Sequence, residues 1–587
     1  MDTRQVLRNA TRDPVLTEIV RAGVRAVTNE MKTNLTRTAY NTIIYEALDF
    51  TVGLFTADGR TVSIGLGLPM FIRGMGEVIA AKLRHFGRDA IAPGDILVTN
   101  DAYTTGSHLN HITLTMPIFD GKRLVGFSCC MGHWLDIGGT LAGVTTDIYS
   151  EGLQIPIMKL QDKGRLNQDL VDIIRMNVRF PGNAMGDLRA QITAVKTGER
   201  RFLELVRRYG ADPVLDAIDG VMDGAEQAAR ARTLSIPDGV YEAESYMDDD
   251  GVDLGKPVPI KVKVIVAGDE MTIDLSGVAA QVRGFYNSGP TTAYACAQVA
   301  YKCLTSPTDY PINDGSFRPL KVIAPPGRVV SAVKPAAMRR WMTFPMTIVD
   351  TVFKALSPAI PERVAAGHHA DLIIAMLIGV SPKTKRLIIA GISQTGGGWG
   401  AKMHEDGVSA TIAMNDGDTH NSPSEMIETK HPVVVESYGL VPDSGGAGRY
   451  RGGLGCERVV RLRDQLNLTT HIDRSRCAPW GLYGGGEAMA NRIAIRKGGR
   501  VKDDFGNAKV YTLALAEGDA VLLRGGGGGG FGPPHERPPE HVREDVRQGY
   551  VSLAAARDLY GVVLDPTTLA VDQAATAALR RPAPDLR

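Results

Sequence analysis

Neither sign of charge dominates this 587-residue chain: 66 Lys plus Arg stand against 65 Asp plus Glu. It therefore offers no net field to hold nucleic acid or an anionic membrane. No run of about 18 apolar residues occurs, and the opening MDTRQVLRNATRDP lacks the apolar centre of a secretory signal, so the expected location is the cytoplasm. The six cysteines, Cys129, Cys130, Cys296, Cys303, Cys456 and Cys477, form no CxxC pair, which argues against a zinc ribbon or a disulfide framework. Cys129 and Cys130, within LVGFSCCM, read as small buried hydrophobes. Also missing are GxxxxGK[ST], GxSxG and HExxH, which removes the P-loop, the nucleophile elbow and the zinc-protease helix from consideration.

What is present is an ordinary globular composition, 44% hydrophobic, enough for a large core and about two to four domains. Leu16, Ile19, Val20, Val24, Val27 and Met31 recur at helical spacing behind Asp13-Pro14, predicting a helix that runs to about Glu46. Short β-prone runs separated by Asp-Gly and Gly-Lys steps follow between Asp49 and Phe127, interrupted by a helical stretch from about Gly74 to His85. Residues from about Leu166 to Leu234 return to helical patterning. Near Ser235 the texture changes to alternating strands broken by Asp and Gly, then to a helical segment around Thr291 to Leu304 and a glycine-rich, short-strand region from about Val433. The prediction is a multidomain α+β protein: residues 1–235 a mixed α/β unit, 236–432 a mixed central region, 433–572 β-rich, and 573–587 a tail with little structure of its own.

The stretch from Asn100 to Gly139, NDAYTTGSHLNHITLTMPIFDGKRLVGFSCCMGHWLDIGG, holds three of the twelve histidines. His108 and His111 are close enough in sequence to meet one metal if the chain turns there. His133 follows a β-prone run able to return beside them. Asp101 and Asp136 flank the set, suiting the acceptors that metal-bound imidazoles need. The blander reading is that these are hydrogen-bonded core or surface histidines, since HxxH is not specific. The remaining histidines, among them His368, His369, His404 and His420, have no patterned partners. The glycine clusters at Thr395–Gly400, Asp443–Gly455, Tyr483–Gly486 and Gly525–Gly532 favour tight turns and close backbone packing over phosphate cradling.

With these residues in view, the chain resembles the hydantoinase B, 5-oxoprolinase and acetone carboxylase alpha-subunit family. NDAYTTGSHLNH is similar to the family block NDPY-x-GG-THL-x-D, HWLDIGG to its HHxDIGG, and EGLQIP (Glu151–Pro156) to its EGLxIP. GDLRAQITAVKTGERRFLEL, GGGWGAKMHEDG, NSPSEMIE and GGGGFGPPHERPPEHVREDVRQGYVS extend the likeness over nearly the whole length. The resemblance implies a separate A-type subunit with a sugar-kinase-like fold that binds ATP and Mg and phosphorylates a carbonyl or lactam oxygen, which fits the absent P-loop. It also implies a metal centre in this chain, with ligands at His108 and His133 and at Asp49 of LDFTVG. The family's aspartate three residues after the first histidine is His111 here, a family histidine is Phe71 in PMFIRG, and the second histidine of HH is Trp134. A histidine in place of a carboxylate makes the site less anionic and moves its preference from Mn toward Zn or Fe.

The first expectation is thus the B-type subunit of an ATP-dependent ring-opening amidohydrolase for a hydantoin, oxoproline-like lactam or similar cyclic amide. In it Asp49, His108, His111 and His133 hold a divalent metal, zinc before manganese or iron; Asp136 orients a histidine or acts as base, and Asp101 sits behind the ligands. The alternatives are a subunit of an ATP-dependent ketone carboxylase for acetone or acetophenone, and a scaffold subunit that only assembles catalytic partners. The expected assembly is hetero-oligomeric, with a small cyclic amide or ketone as substrate.

Overall fold

In the computed structural model, residues 12–305, 312–392, 395–417 and 419–580 are described. The opening residues that bear on a secretory leader, and residues 581–587 of the expected tail, lie outside the described residues. Helix α1 (Pro14–Thr38) begins where Asp13 accepts from the N–H groups of Val15 and Leu16, the side-chain cap that satisfies two of a helix's orphan donors. Its buried stripe is Val20, Val24, Val27, Met31 and Leu35. The helix is shorter than predicted, because the backbone becomes extended at Ala39 and Asn41 caps a separate turn, Thr42–Tyr45.

The first sheet has seven strands in the order β2-β1-β5-β4-β3-β6-β7: β1 Phe50–Phe55, β2 Thr61–Leu66, β3 Ile96–Thr99, β4 His111–Asp120, β5 Arg123–His133, β6 Met158–Asp162 and β7 Arg165–Leu166. Every neighbouring pair is antiparallel. Gly59 (φ 91°) and Gly121 (φ 60°) take the left-handed backbone in the turns that the Asp-Gly steps predict. Helix α2 (Gly74–Phe86) interrupts the strands, and α3 (Pro181–Tyr209) and α4 (Ala211–Thr233) follow them. Ile112, Leu114, Met116 and Ile118 of β4 share one core with α1, α3 and α4. Phe127, Cys129 and Met131 of β5 belong to a second core on the other face. Cys129 and Cys130 therefore point into opposite cores, and burial pushes the Cys129 thiol up to about 12. All six cysteines are free.

That second core is completed from beyond position 236. A four-stranded sheet, β11-β10-β9-β8, is built from β8 Gly239–Met247, β9 Val258–Ala267, β10 Glu270–Asp274 and β11 Leu320–Ile323, with inward Val258, Ile260, Val262, Val264 and Val266 alternating along β9. It packs with helices α5 (Pro290–Thr305) and α6 (Thr343–Leu356), whose residues join Phe127 and Met131 in one apolar cluster. Position 236 falls between α4 and β8, yet a single core spans it. Position 433 likewise separates strands of one sheet: β12 (Ile374–Val380) and β13 (Leu387–Gly391) pair on through β16 (Leu466–His471) to β19 (Leu513–Leu515). The fourth sheet runs β14-β15-β20-β17-β18: β14 Val433–Leu440, β15 Cys456–Leu462, β20 Ala520–Arg524, β17 Arg492–Lys497 and β18 Arg500–Lys502. The tail is not wholly irregular, since Asp572 caps a helix over Gln573–Leu579. Among the described residues, no helix is long and apolar enough to cross a membrane.

After β20 the chain runs through Gly525–Gly530 in no sheet and no helix. Its N–H groups donate in a repeat of three: Gly525 and Gly528 to Cys456 and Gly453, Gly527 and Gly530 to Met489 and Gly486, and Gly526 and Gly529 to the Asn491 side chain and Gly367. Its carbonyls accept from Gly398, Gly446, Ala401 and Leu482. A threefold extended strand with no internal hydrogen bonds is the polyproline II geometry, here surrounded by other glycine segments. At this run close backbone packing leaves no phosphate cradle, because its six N–H groups are all engaged. A Cβ on Gly528 would lie 1.9 Å from the Trp399 carbonyl oxygen, and one on Gly529 1.9 Å from that of Trp480.

Gly528→Ala should therefore cost upwards of about 3 kcal/mol, since backbone on every side leaves nothing to rotate away. Gly439→Ala, on exposed β14 with nothing within 4 Å of the new carbon, should stay within about 1 kcal/mol of the parent. Chemical unfolding of the two variants measures the contrast.

Candidate metal centre

Pairing between β4 and β5 sets His111 directly opposite His133. The next backbone link, from the His133 N–H to the Asp49 carbonyl at 3.1 Å, draws in the residue that leads into β1. His108 arrives from the loop before β4. Gly106, at φ 89°, turns that loop and is pinned against the start of α5, where its carbonyl accepts from Gly289 N–H and the Thr292 hydroxyl. Ring centroids lie 4.4 Å apart for His108 and His111, 4.9 Å for His108 and His133, and 5.2 Å for His111 and His133. His111 Nε2 and Asp49 Oδ1 are 3.0 Å apart. All four residues inferred as metal ligands thus meet in one place.

The donor set suits a borderline transition metal in kind. His108 Nε2, His111 Nδ1 and His133 Nδ1 are buried without a hydrogen-bond partner, a costly state for polar atoms unless something engages them. Burial, reinforced by neighbouring imidazoles and Arg340, holds His108 well below the ordinary imidazole range and His133 at about 4. Both are neutral at pH 7, the form that binds metal. Asp49 is kept ionised: His111 and His133 together outweigh a burial penalty that acts the other way. Among the described residues, however, no three His, Cys, Asp or Glu side chains form a ready-made coordination sphere. The direct His111–Asp49 contact occupies two of the donors.

The flanking aspartates are placed differently from expectation. Asp101 does not join the cluster: it caps the short helix Ala102–Thr105, accepting from Tyr103 N–H and the Thr104 hydroxyl. Asp136 lines the same cavity as the histidines. Its oxygens accept from the Arg179 guanidinium at 2.6 Å, from Arg179 N–H and from Gly138 N–H, so it anchors that wall rather than orienting an imidazole. Trp134 is fully buried and donates its Nε1–H to Gln191. Phe71 meets His111 edge-on at 4.8 Å, an apolar shield where a family histidine would stand. His368 is buried beside Asp350 at 3.0 Å, and His369 carries its ring against the Gly398 carbonyl; neither enters the cavity lining.

The cavity measures about 490 Å³, within the range of small-molecule sites. Asp49, His108 and His133 line it, and so do the aliphatic Leu372, Ile374, Met376 and Ile389 of the β12–β13 hairpin region. Arg339, Arg340 and Trp341 line it too, and spacing arguments missed them because they come from more than 200 positions beyond the histidines. The only hint was local, two arginines beside one of four tryptophans. Asp416 was missed as well. Both of its oxygens are buried without partners, and burial together with the charge of Asp49 raises its pKa far above the carboxylate range.

The hydantoinase B/oxoprolinase family model matches residues 13–534. The chain belongs to that family. It is 32% identical to the caprolactamase subunit beta of Pseudomonas jessenii, over 97% of this chain and 99% of that one. The solved structure of the ATP-dependent caprolactamase from the same organism superposes with a TM-score of 0.90 at 29% identity, covering 97% of this chain and all of that chain. A nucleotide-free acetone carboxylase structure, at 21% identity and a TM-score of 0.87, shares the fold over 97% of this chain and 82% of its own. Family members thus include ATP-dependent amidohydrolases, and the fold alone does not separate them from the carboxylase.

Because the folded chain keeps His108 and His133 neutral while an unfolded imidazole titrates near pH 6.5, the unfolded state binds more protons below that pH. Stability of the chelator-treated protein should fall as pH drops from about 6.5 toward about 4. Urea unfolding at pH 7, 5.5 and 4.5 should show that slope, and His133→Gln should flatten it.

Proposed function

We propose that this chain is the B-type subunit of an ATP-dependent ring-opening amidohydrolase. It would act on a cyclic amide that a separate A-type subunit, carrying ATP and Mg, has activated by phosphorylation. The observation that carries the reading is the clustering of three imidazoles and one ionised carboxylate, of which His108, His133 and Asp49 line a cavity that Leu372, Ile374, Met376 and Ile389 also line. The subunit designation of the caprolactamase relative supports the heteromeric assembly.

In this reading Asp49, His108, His111 and His133 hold a divalent metal. Zinc comes first, with manganese or iron next, because the donor set is rich in nitrogen. When bound, such a metal supplies Lewis acidity and a water of lowered pKa. The chain's own residues do the rest. Asp49 accepts at the hydrogen bond to His111 and fixes that ring. Phe71 and Trp341 close one side of the imidazole cluster to water. Leu372, Ile374, Met376 and Ile389 offer an apolar bed for the methylenes of a ring. Asp136 with Arg179 and Asp101 at its helix cap hold the surrounding loops rather than moving protons.

Metal analysis of the chain co-purified with its A-type partner tests this directly. Near-stoichiometric zinc, manganese or iron should be present, lost in His108→Ala and in His133→Ala, with ATP turnover that depends on a lactam or hydantoin and is indifferent to bicarbonate. Turnover that requires bicarbonate and a ketone would replace the hydrolase by the carboxylase. A well-folded, metal-free wild type in an intact assembly would leave only the scaffold role.

A further inference from the structure

Arg340 lines the cavity, and its charge is felt by both His108 and His133. Among the described residues no carboxylate lies within ion-pair distance of it, in a chain with many such pairs. The carboxylates whose charge acts on it are otherwise engaged. Glu151 accepts from the Thr145 hydroxyl and from the N–H groups of Met338 and Arg339. Asp371 accepts from the N–H groups of Ile373 and Asp473 and, with its pKa raised to about 8, is protonated at neutral pH.

Instead, the guanidinium is held by an imidazole: Nε–H donates to His471 Nδ1 at 2.9 Å. To accept there His471 must be neutral, and its pKa is held well below the ordinary range, by burial first and then by Arg340 itself. Phe285 packs edge-on against the ring at 4.9 Å and Tyr511 lies at 5.7 Å, while the Arg340 N–H is tied to the Phe285 carbonyl. A carboxylate in the place of His471 would orient the arginine and cancel its charge. A neutral imidazole orients it and leaves the charge whole. The two terminal NH₂ groups have no hydrogen-bond partner among the described residues, and they form the planar fork that grips two oxygens of one anion.

We propose that Arg340, positioned by His471, is the anion subsite of this cavity and takes the phosphoryl group of the activated substrate, or inorganic phosphate after hydrolysis. This rests on the reading above that the substrate arrives phosphorylated. A phosphoryl group on the activated oxygen lies two bonds from the reacting carbon, so an anion site adjoining the histidine cluster matches it. A carboxylate elsewhere on a substrate would need a spacer to reach both places.

Calorimetric titration of inorganic phosphate into the purified assembly tests the subsite, with acetate as the competing anion. Wild type should bind phosphate in preference to acetate. Arg340→Gln should weaken phosphate binding at least tenfold with metal content unchanged, and Arg340→Lys, which keeps charge but loses the fork, should fall between. His471→Asp should also weaken it, because the acceptor is kept but the charge is neutralised. If the variants fold poorly, phosphate should still protect Arg340 of the wild type from phenylglyoxal, read by peptide mass mapping. Equal affinity in wild type and Arg340→Gln, preference for acetate, or no protection would overturn the assignment. Metal content and ATP turnover on the same samples separate the two ideas: phosphate held by Arg340 without metal defeats the hydrolase reading alone, and metal with turnover but no phosphate binding defeats this one alone.

Discussion

The antiparallel ladder between β4 and β5 is the constraint on which the site depends. Side chains alternate along a strand, so a slip of one residue would turn His111 away from His133 and exchange the two core faces. Both faces of this ladder are buried, Ile112 to Ile118 on one side and Phe127 to Met131 on the other, which penalises any slip twice. The register that satisfies both cores is the one that sets the two histidines opposite each other. Asp49 follows, because β1 pairs with β5 and its leading residue lands against His133.

Around that ladder the electrostatics follow from burial. Desolvation keeps His108, His133 and His471 neutral, while Asp49 stays ionised and burial raises the pKa of Asp416 and, to about 8, that of Asp371. The cavity lining thus combines an ionised Asp49, two neutral imidazoles and Arg340 with the methyl and methylene groups of Leu372, Ile374, Met376 and Ile389.

How much of this the sequence disclosed depended on the range over which the information lies. Periodicity located α1, α2 and α5 because their buried stripes are local, and the Asp-Gly steps located hairpins because a turn is made by its own residues. The histidine cluster was legible for a related reason: His108, His111 and His133 lie within one hairpin and its leading loop. Asp49 came only through family likeness, and Arg340, Asp416 and His471 not at all, since they are brought in by packing between distant segments. Asp101 and Asp136 looked like site residues because of their position, but a helix cap and an arginine pair were stronger claims on short carboxylates. The boundaries proposed at 236 and 433 followed changes in local texture; one apolar core spans the first position, and one sheet joins strands from either side of the second.

The glycine run also bears on when the molecule can become complete. Residues 525–530 supply the partners for backbone groups near Gly367, Gly398, Gly446, Gly453 and Gly486, all of which leave the ribosome earlier. Until the run emerges, those amides and carbonyls have only water to bond, and the segment leading from Gly367 to Leu372 lacks its anchor. A product truncated before residue 525 would therefore carry the histidines and Leu372, Ile374, Met376 and Ile389 without the backbone bond that holds the segment at Gly367.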